Sequence, residues 1–360
     1  MEHFSCQTRI VSGAGAAAYL RELSIRRLMV VTDPFFYKNG TAQRIAQGAG
    51  AETVTYFYDV APDPSVALAA KGTQAVQSFQ PDTIVALGGG SAMDCAKAMA
   101  YFSGLAPRLV AIPTTSGSGS EVTDFAILTH DGVKHPLVDA ALRPDVAILD
   151  SDLLAALPSS LIADGGFDAL THAAEAFVAK NAGAITDALA LSAFRDAYQQ
   201  LPSSFHGNLP PRPKVHLAAT MAGMAFSQAG LGICHAISHS LGGQFHIPHG
   251  RLNAILLPAV IARNAPTAGD KYAAMARAIG LEGRAISLGV RNLRSALIRL
   301  RQELALPATL AQAGISPAQV RQKADCIIKA TLADPCCATN PTPVTENMVR
   351  DILSEVTGYG

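Results

Sequence analysis

The chain has 360 residues, 49% of them hydrophobic, and 28 basic side chains against 28 acidic ones. Zero formal net charge gives no electrostatic reason to expect a nucleic acid or an anionic membrane as partner. Six cysteines without a paired C-x-x-C pattern read as free thiols, not as a disulfide framework or a thiolate metal site.

In chain order, the first stretch, MEHFSCQTRIVSGAGA, has no basic segment followed by an apolar run. No secretory signal is read there, and a cytoplasmic protein is expected. Gly13-x-Gly15 reads as a structural strand-to-helix turn. Up to about residue 155, RRLMVVTD, TVTYFYDV, DTIVALGGG, RLVAIPTT and DVAILD read as strands, with TAQRIAQGA and SVALAAKGTQAVQSF as helices between them. Such alternation predicts βαβ units and a mostly parallel sheet. AILTHDGVKHPLV predicts a hairpin around Asp131-Gly132, laid onto that sheet. From LPSSLIADGG onward the β-rich runs stop, and Ala/Leu-rich patterns with Gly and Pro breaks predict helices. The expected organisation is an α/β domain over 1–158 and an all-α domain over 159–360, with a ligand in the cleft between them.

Two loops of the first domain carry phosphate-binding character. In DTIVALGGGSAMDCAKAMAYF a strand runs through Gly88, Gly89, Gly90 and Ser91 into a helix, so bare backbone N–H groups face outward at a helix N-terminus. The plain alternative is a glycine turn with Ser91 as N-cap. In IPTTSGSGSE, Thr114, Thr115, Ser116 and Ser118 offer hydroxyls after another strand. Neither loop gives G-x-G-x-x-G with an acid about 20 residues later. Instead an acid comes first: Asp33 ends RRLMVVTD, where its carboxylate either binds a ribose diol or caps the next helix.

From Val215 to Gly250 there is no Asp, Glu, Lys or Arg, yet His235, His239, His246 and His249 fall within this tract. About 20 apolar residues suffice to cross a bilayer. Interrupting Gly, Ser, Thr, Gln and His residues, without a basic cluster at either end, fit a buried core helix better. In GGFDALTHAAEAF, Asp168 and His172 are four apart, on one face of a helix. With His235 and His249 they make an O, N, N, N set suited to Fe²⁺ or Zn²⁺. Such a pair by itself is often only a helix-surface contact. Several buried histidines without charged neighbours nevertheless need partners, and a metal supplies one. His239, four residues after His235, is expected on the same side.

Together F-D-A-L-T-H, G-x-x-H-A-x-x-H-x-L-G…P-H-G, G-G-G-S-x-x-D-x-A-K and P-T-T-x-G-x-G-S-E-V-T resemble the iron-dependent (group III) alcohol dehydrogenase family. The resemblance runs to Thr339-Asn340-Pro341-Thr342-Pro343. AGMAFSQAGLGICHAISHSLGGQFHIPHG is most similar to the propanol dehydrogenases of propanediol-utilisation microcompartments, with the ethanolamine- and choline-associated ethanol dehydrogenases close by. It implies the dehydroquinate synthase-like fold, an NAD-binding domain followed by a metal-binding one. Asp168, His172, His235 and His249 match the family's metal ligands, and His239 the non-ligand histidine beside the nicotinamide. Gly89, Gly90, Ser91 and Asp94 match the pyrophosphate loop and its helix, Thr114, Thr115 and Ser118 the second cofactor loop, and Asp33 the acid at the adenosine ribose. Asp63 and Lys134 fall at further cofactor contacts, although Asp63 replaces a common Asn. His246 matches no ligand and reads as a site-lining or structural histidine. The implied activity interconverts short-chain aldehydes and primary alcohols with NAD(H) and one divalent metal, Fe²⁺ first and Zn²⁺ second. A homodimer is implied, and so are shell or enzyme partners in a bacterial microcompartment. The alternatives are a lactaldehyde/propanediol or glycerol dehydrogenase, and a non-catalytic structural component.

Overall fold

The structure is a computed structural model that describes residues 4–130, 133–281 and 283–358. Chain contacts separate two compact units, Ser5–Leu157 and the chain from Pro158 on.

In the first unit β1 (Arg9–Gly13), β2 (Arg27–Val31), β3 (Thr53–Phe57), β4 (Thr83–Gly88), β5 (Arg108–Pro113) and β8 (Val146–Asp150) form one sheet in the order β1-β8-β5-β4-β2-β3, with every pairing parallel. The helices are α1 (Pro34–Lys38), α2 (Thr41–Ala49), α3 (Val66–Phe79) and α4 (Gly90–Ser103). Strand alternation sends successive residues to opposite faces. Leu28, Val30, Val85, Leu87, Val110 and Ile112 pack with Ala42 and Ile45 of α2 on one face. Met29, Val31, Ile84 and Ala86 pack with Val76 of α3 and Met93 and Met99 of α4 on the other. Both faces are covered, which explains why β4 is buried at all six positions and reads as a continuous apolar run. The five predicted strands are all present, and β1 joins them at one edge.

The hairpin prediction needs correcting. β6 (Phe125–His130) and β7 (Val133–Val138) do pair antiparallel, but as a separate two-stranded sheet. Its contact with the main body runs through α4, and a single bridge, Ser65 to Thr129, ties it to the start of α3. Asp131 and Gly132, the proposed turn, lie outside the described residues.

Among the described residues, the second unit is helical: α5 (Ser159–Val178), α6 (Ala184–Phe205), α7 (Arg212–Ala229), α8 (Ile233–Phe245), α9 (His249–Ala278), α10 (Ile286–Glu303), α11 (Pro317–Ala333), α12 (Cys336–Thr339) and α13 (Glu346–Thr357). α5 is the central element, buried at almost every position after Leu161 and packed against α6, α7 and α9. Its approach to α9 is close enough to require glycine, since a Cβ at Gly250 would stand 1.7 Å from the Asp164 carbonyl oxygen. That contact fixes where His249, the first residue of α9, sits over α5. The uncharged tract forms α7 from Val215 on and α8; these two helices meet at 104° and are largely buried. No single described helix is long and apolar enough to cross a membrane.

Candidate functional site

The C-terminal ends of the parallel strands collect the first group of residues. In open α/β sheets ligands bind outside these ends. β4 and β5 are neighbours, so the two polar loops that follow them lie side by side. The Thr114 N–H donates to the Gly88 carbonyl at 2.9 Å. A Cβ on Gly89 would stand 3.2 Å from Thr115 Oγ1, and one on Gly90 would stand 3.2 Å from Ser118 Cβ. Bare glycine therefore lets the loops close on each other. Gly89 is the N-cap of α4 and no side chain caps it, so Ser91 lies inside the helix and the capping alternative for Ser91 falls away. Asp33, two residues past β2, does cap α1, with Oδ1 accepting from the N–H groups of Phe35 at 2.8 Å and Phe36 at 3.1 Å. That employs one carboxylate oxygen; Oδ2 lies 3.8 Å from the Cβ position of Gly88, beside the glycine loop.

Of the other predicted cofactor residues, Asp94 ties α4 to the loop after β5, while Lys134 and Asp63 pair with each other. Asp94, on α4, accepts from Ser120 Oγ at 2.9 Å, and burial raises its pKa against the pull of Lys97 and Ser120. Lys97, one turn on, is 1% exposed and donates to Ser120 Oγ, to the carbonyl and Oγ1 of Thr123 and to the Phe125 carbonyl, at 2.8–3.0 Å. Burial brings its pKa down to about 8. Lys134 and Asp63 form an ion pair with each other at 2.6 Å, and Asp63 adopts φ +54°. Gly13 and Gly15 form the expected structural turn, for Asp150 accepts from the N–H groups of Gly15 at 3.1 Å and Ala17 at 2.9 Å.

The second group lies wholly within the helical unit. Asp168, His172 and His235 place one donor atom each within 4.8 Å of one another. The His172 and His235 rings stack with centroids 4.4 Å apart, and both are buried. The His235 Nδ1–H donates to Glu175 Oε2 at 2.7 Å, because an ionised carboxylate can only accept. That fixes the tautomer and turns Nε2 toward Asp168, whose Oδ1 is 3.6 Å away. Asn253 donates to Asp168 Oδ1 at 2.8 Å and lies 3.1 Å from His235 Nε2. Glu175 also accepts from the N–H groups of Gly232, Cys234 and His235, so one buried carboxylate caps α8 and orients its histidine.

Burial raises the Asp168 pKa, but the charges of His172, His235 and His249 and the hydrogen bond from His235 outweigh it and hold the carboxyl below its ordinary range. Burial likewise opposes charge on His235, while Asp168 and Glu175 overcome it and push its pKa up to about 9. Negative charge thus draws a cation to this point: a proton here, or a divalent ion on the same lone pairs. An aspartate oxygen and imidazole nitrogens, with a carboxylate behind one imidazole, are a donor set that suits Fe²⁺ or Zn²⁺.

His249 is not part of the trio within 4.8 Å, though it is close enough to act on the Asp168 carboxylate. Its ring centroid is 5.0 Å from that of His239, which is itself 6.0 Å from that of His235. His239 Nδ1 meets Asp334 Oδ2 at 2.8 Å. His246 is exposed, at the left-handed C-cap of α8, and lies outside the trio of Asp168, His172 and His235. Sequence reasoning missed Glu175, Asn253, Asp334 and Lys97. Glu175 had a signal, since Asp168, His172 and Glu175 repeat at i, i+4 and i+7 on one helix face.

Comparison with known proteins agrees with both halves. Residues 7–151 match the family "Iron-containing alcohol dehydrogenase", and residues 162–357 match "Fe-containing alcohol dehydrogenase family, C-terminal". The 1-propanol dehydrogenase PduQ of Salmonella typhimurium is 39% identical, over 99% of this chain and 100% of its own length. An NADPH-dependent butanol dehydrogenase of Clostridium saccharobutylicum is 37% identical over 100% of this chain and 99% of its own. The sulfoacetaldehyde reductase of Bifidobacterium kashiwanohense, solved in complex with NAD⁺, superposes with a TM-score of 0.91 at 26% identity, covering 100% of both chains. Two glycine-loop strands, a buried Asp/His cluster and matches spanning nearly the whole length have one reading: the chain belongs to the iron-containing alcohol dehydrogenase family.

Proposed function

We propose that the protein is an NAD-dependent, divalent-metal-dependent dehydrogenase that interconverts short-chain aldehydes and primary alcohols, working mainly as an aldehyde reductase that regenerates NAD. The observation that carries this reading is the buried trio Asp168, His172 and His235, with Glu175 fixing the His235 tautomer. Asp168, His172, His235 and His249 would hold the metal. Asp33, Asp63, Gly89, Gly90, Ser91, Asp94, Thr114, Thr115, Ser118 and Lys134 would hold the dinucleotide. When bound, the metal supplies Lewis acidity toward the alcohol or carbonyl oxygen, and the nicotinamide gives or takes the hydride.

The chain's own residues do the rest. Asn253 keeps Asp168 Oδ1 directed into the cluster. The uncharged walls of α8 and of α7 from Val215 on exclude water, which strengthens every electrostatic contact inside. His239 Nε2 takes the hydroxyl proton in oxidation and returns it in reduction. The homodimer and the microcompartment partners belong to the same proposal, the first tested by light scattering on purified protein.

Anaerobically prepared protein should contain one divalent ion per chain and reduce acetaldehyde, propanal and butanal with NADH. Stoichiometric metal loss in Asp168→Ala together with loss of aldehyde turnover is the expected result. Full metal occupancy in that variant, or no turnover of any short aldehyde by metal-loaded protein, would overturn it.

A further inference from the structure

We infer that Asp334 is the positioning residue of the proton relay, holding His239 in the one tautomer that can take a proton from substrate. The inference rests on the reading of His239 as that relay. Asp334 stands between α11 and α12, remote in sequence from every motif of the site, and its carboxylate is only 14% exposed. Oδ2 meets His239 Nδ1 at 2.8 Å, while Oδ1 accepts the Cys336 N–H at 2.8 Å. Burial raises its pKa, but the hydrogen bond and charge of His239 and the amide of Cys336 outweigh this and keep it ionised. An ionised carboxylate only accepts, so Nδ1 must carry the proton and Nε2 keeps its lone pair. It also stabilises the imidazolium that forms when Nε2 takes the proton, the role a buried aspartate plays behind a catalytic histidine.

The backbone contact makes one substitution decisive. In Asp334→Asn, the Cys336 N–H continues to require an oxygen acceptor and so selects the amide oxygen for its side. The amide NH₂ then faces His239 Nδ1, which must become the acceptor. Neutral His239 would hold its proton on Nε2 and could not receive another from an alcohol. Side chain volume, the helix ends and the Asp168 cluster are left as they were.

The test is steady-state kinetics on metal-loaded parent, Asp334→Asn, His239→Ala and the double variant, with propanol and NAD⁺ and with propanal and NADH. Asp334→Asn should keep parental metal content and a propanol KM within about threefold, and lose about 10–100-fold in kcat, the usual scale for a group orienting a catalytic ligand or base. In the His239→Ala background the same substitution should change nothing. Histidine-¹⁵N NMR of zinc-loaded protein should show the His239 proton on Nδ1 in the parent and on Nε2 in Asp334→Asn, which reads the tautomer without activity. Parental kcat in Asp334→Asn, or an equal fold-loss with and without His239, overturns the positioning role alone. Parental kcat in His239→Ala overturns the relay and this inference with it.

Discussion

Asp33 divides its two carboxylate oxygens between tasks, because Oδ1 caps α1 and Oδ2 lies beside the glycine loop. If Oδ2 accepts from the adenosine ribose, a 2′-phosphate brings like charge into the same few ångströms. Asp33→Gly is then expected to raise kcat/KM with NADPH by about tenfold or more, since about 1.4 kcal/mol of relieved repulsion is already tenfold. It should lower stability by only about 0.3 kcal/mol through the lost cap, since glycine is itself tolerated at N-cap. Kinetics with both cofactors decides the matter, and an unchanged NADH/NADPH ratio would leave Asp33 as a cap only. Glu175 acts at the same scale on the other unit. Glu175→Gln preserves shape but weakens the hold on the His235 N–H, so affinity for the metal should fall about 10–100-fold. Competition with a chelator measures this; parental affinity in the variant would reduce Glu175 to a helix cap.

At the scale of elements, Lys97 is the joint between α4, the loop after β5 and β6. Its ammonium is buried against acceptors on both sides, and a methionine there would remove the donor that the oxygens of Ser120, Thr123 and Phe125 share. Its folded pKa is about 8, against 10.5 for a free lysine. Between those values the unfolded chain holds a proton that the folded chain has released, so stability should rise with pH across that window relative to Lys97→Met. The full effect is on the order of 3 kcal/mol. Thermal unfolding of parent and variant at matched pH checks it, and a difference that stays flat from pH 8 to 10.5 would mean the lysine remains charged. The hairpin beside this joint shows how an element can be legible while its place is not. Its two strands are readable as two short runs around Asp131-Gly132, but nothing local tells them to pack on α4 and stay off the main sheet.

For the whole molecule, the two ligand systems lie in separate compact units: the glycine and threonine loops in Ser5–Leu157, and the Asp/His cluster in the chain from Pro158 on. A ligand that binds only folded protein stabilises what it touches. Hydrogen exchange should therefore show Zn²⁺ or Fe²⁺ protecting α5, α8 and the start of α9, and ADP-ribose protecting the segments around Gly89 and Thr115. Metal-induced protection centred on the first unit would contradict the assignment of the cluster.

The amino-acid sequence by itself determined the fold class, the two-part organisation and most donor types. Each rests on short-range regularities: βαβ alternation, a strand running into Gly88–Ser91, and Asp168 and His172 one helical turn apart. Local backbone geometry turns such spacings directly into faces and loop shapes. The tertiary structure decided which groups stand behind them. Glu175 reaches His235 across 60 positions and Asp334 reaches His239 across 95, and no pattern in the intervening residues marks either pair. Helix packing chose those partners, through contacts such as Gly250 on the Asp164 carbonyl. The orientation of a buried histidine depends on what lies across the core from it, which is a property of packed volumes and not of neighbours along the chain.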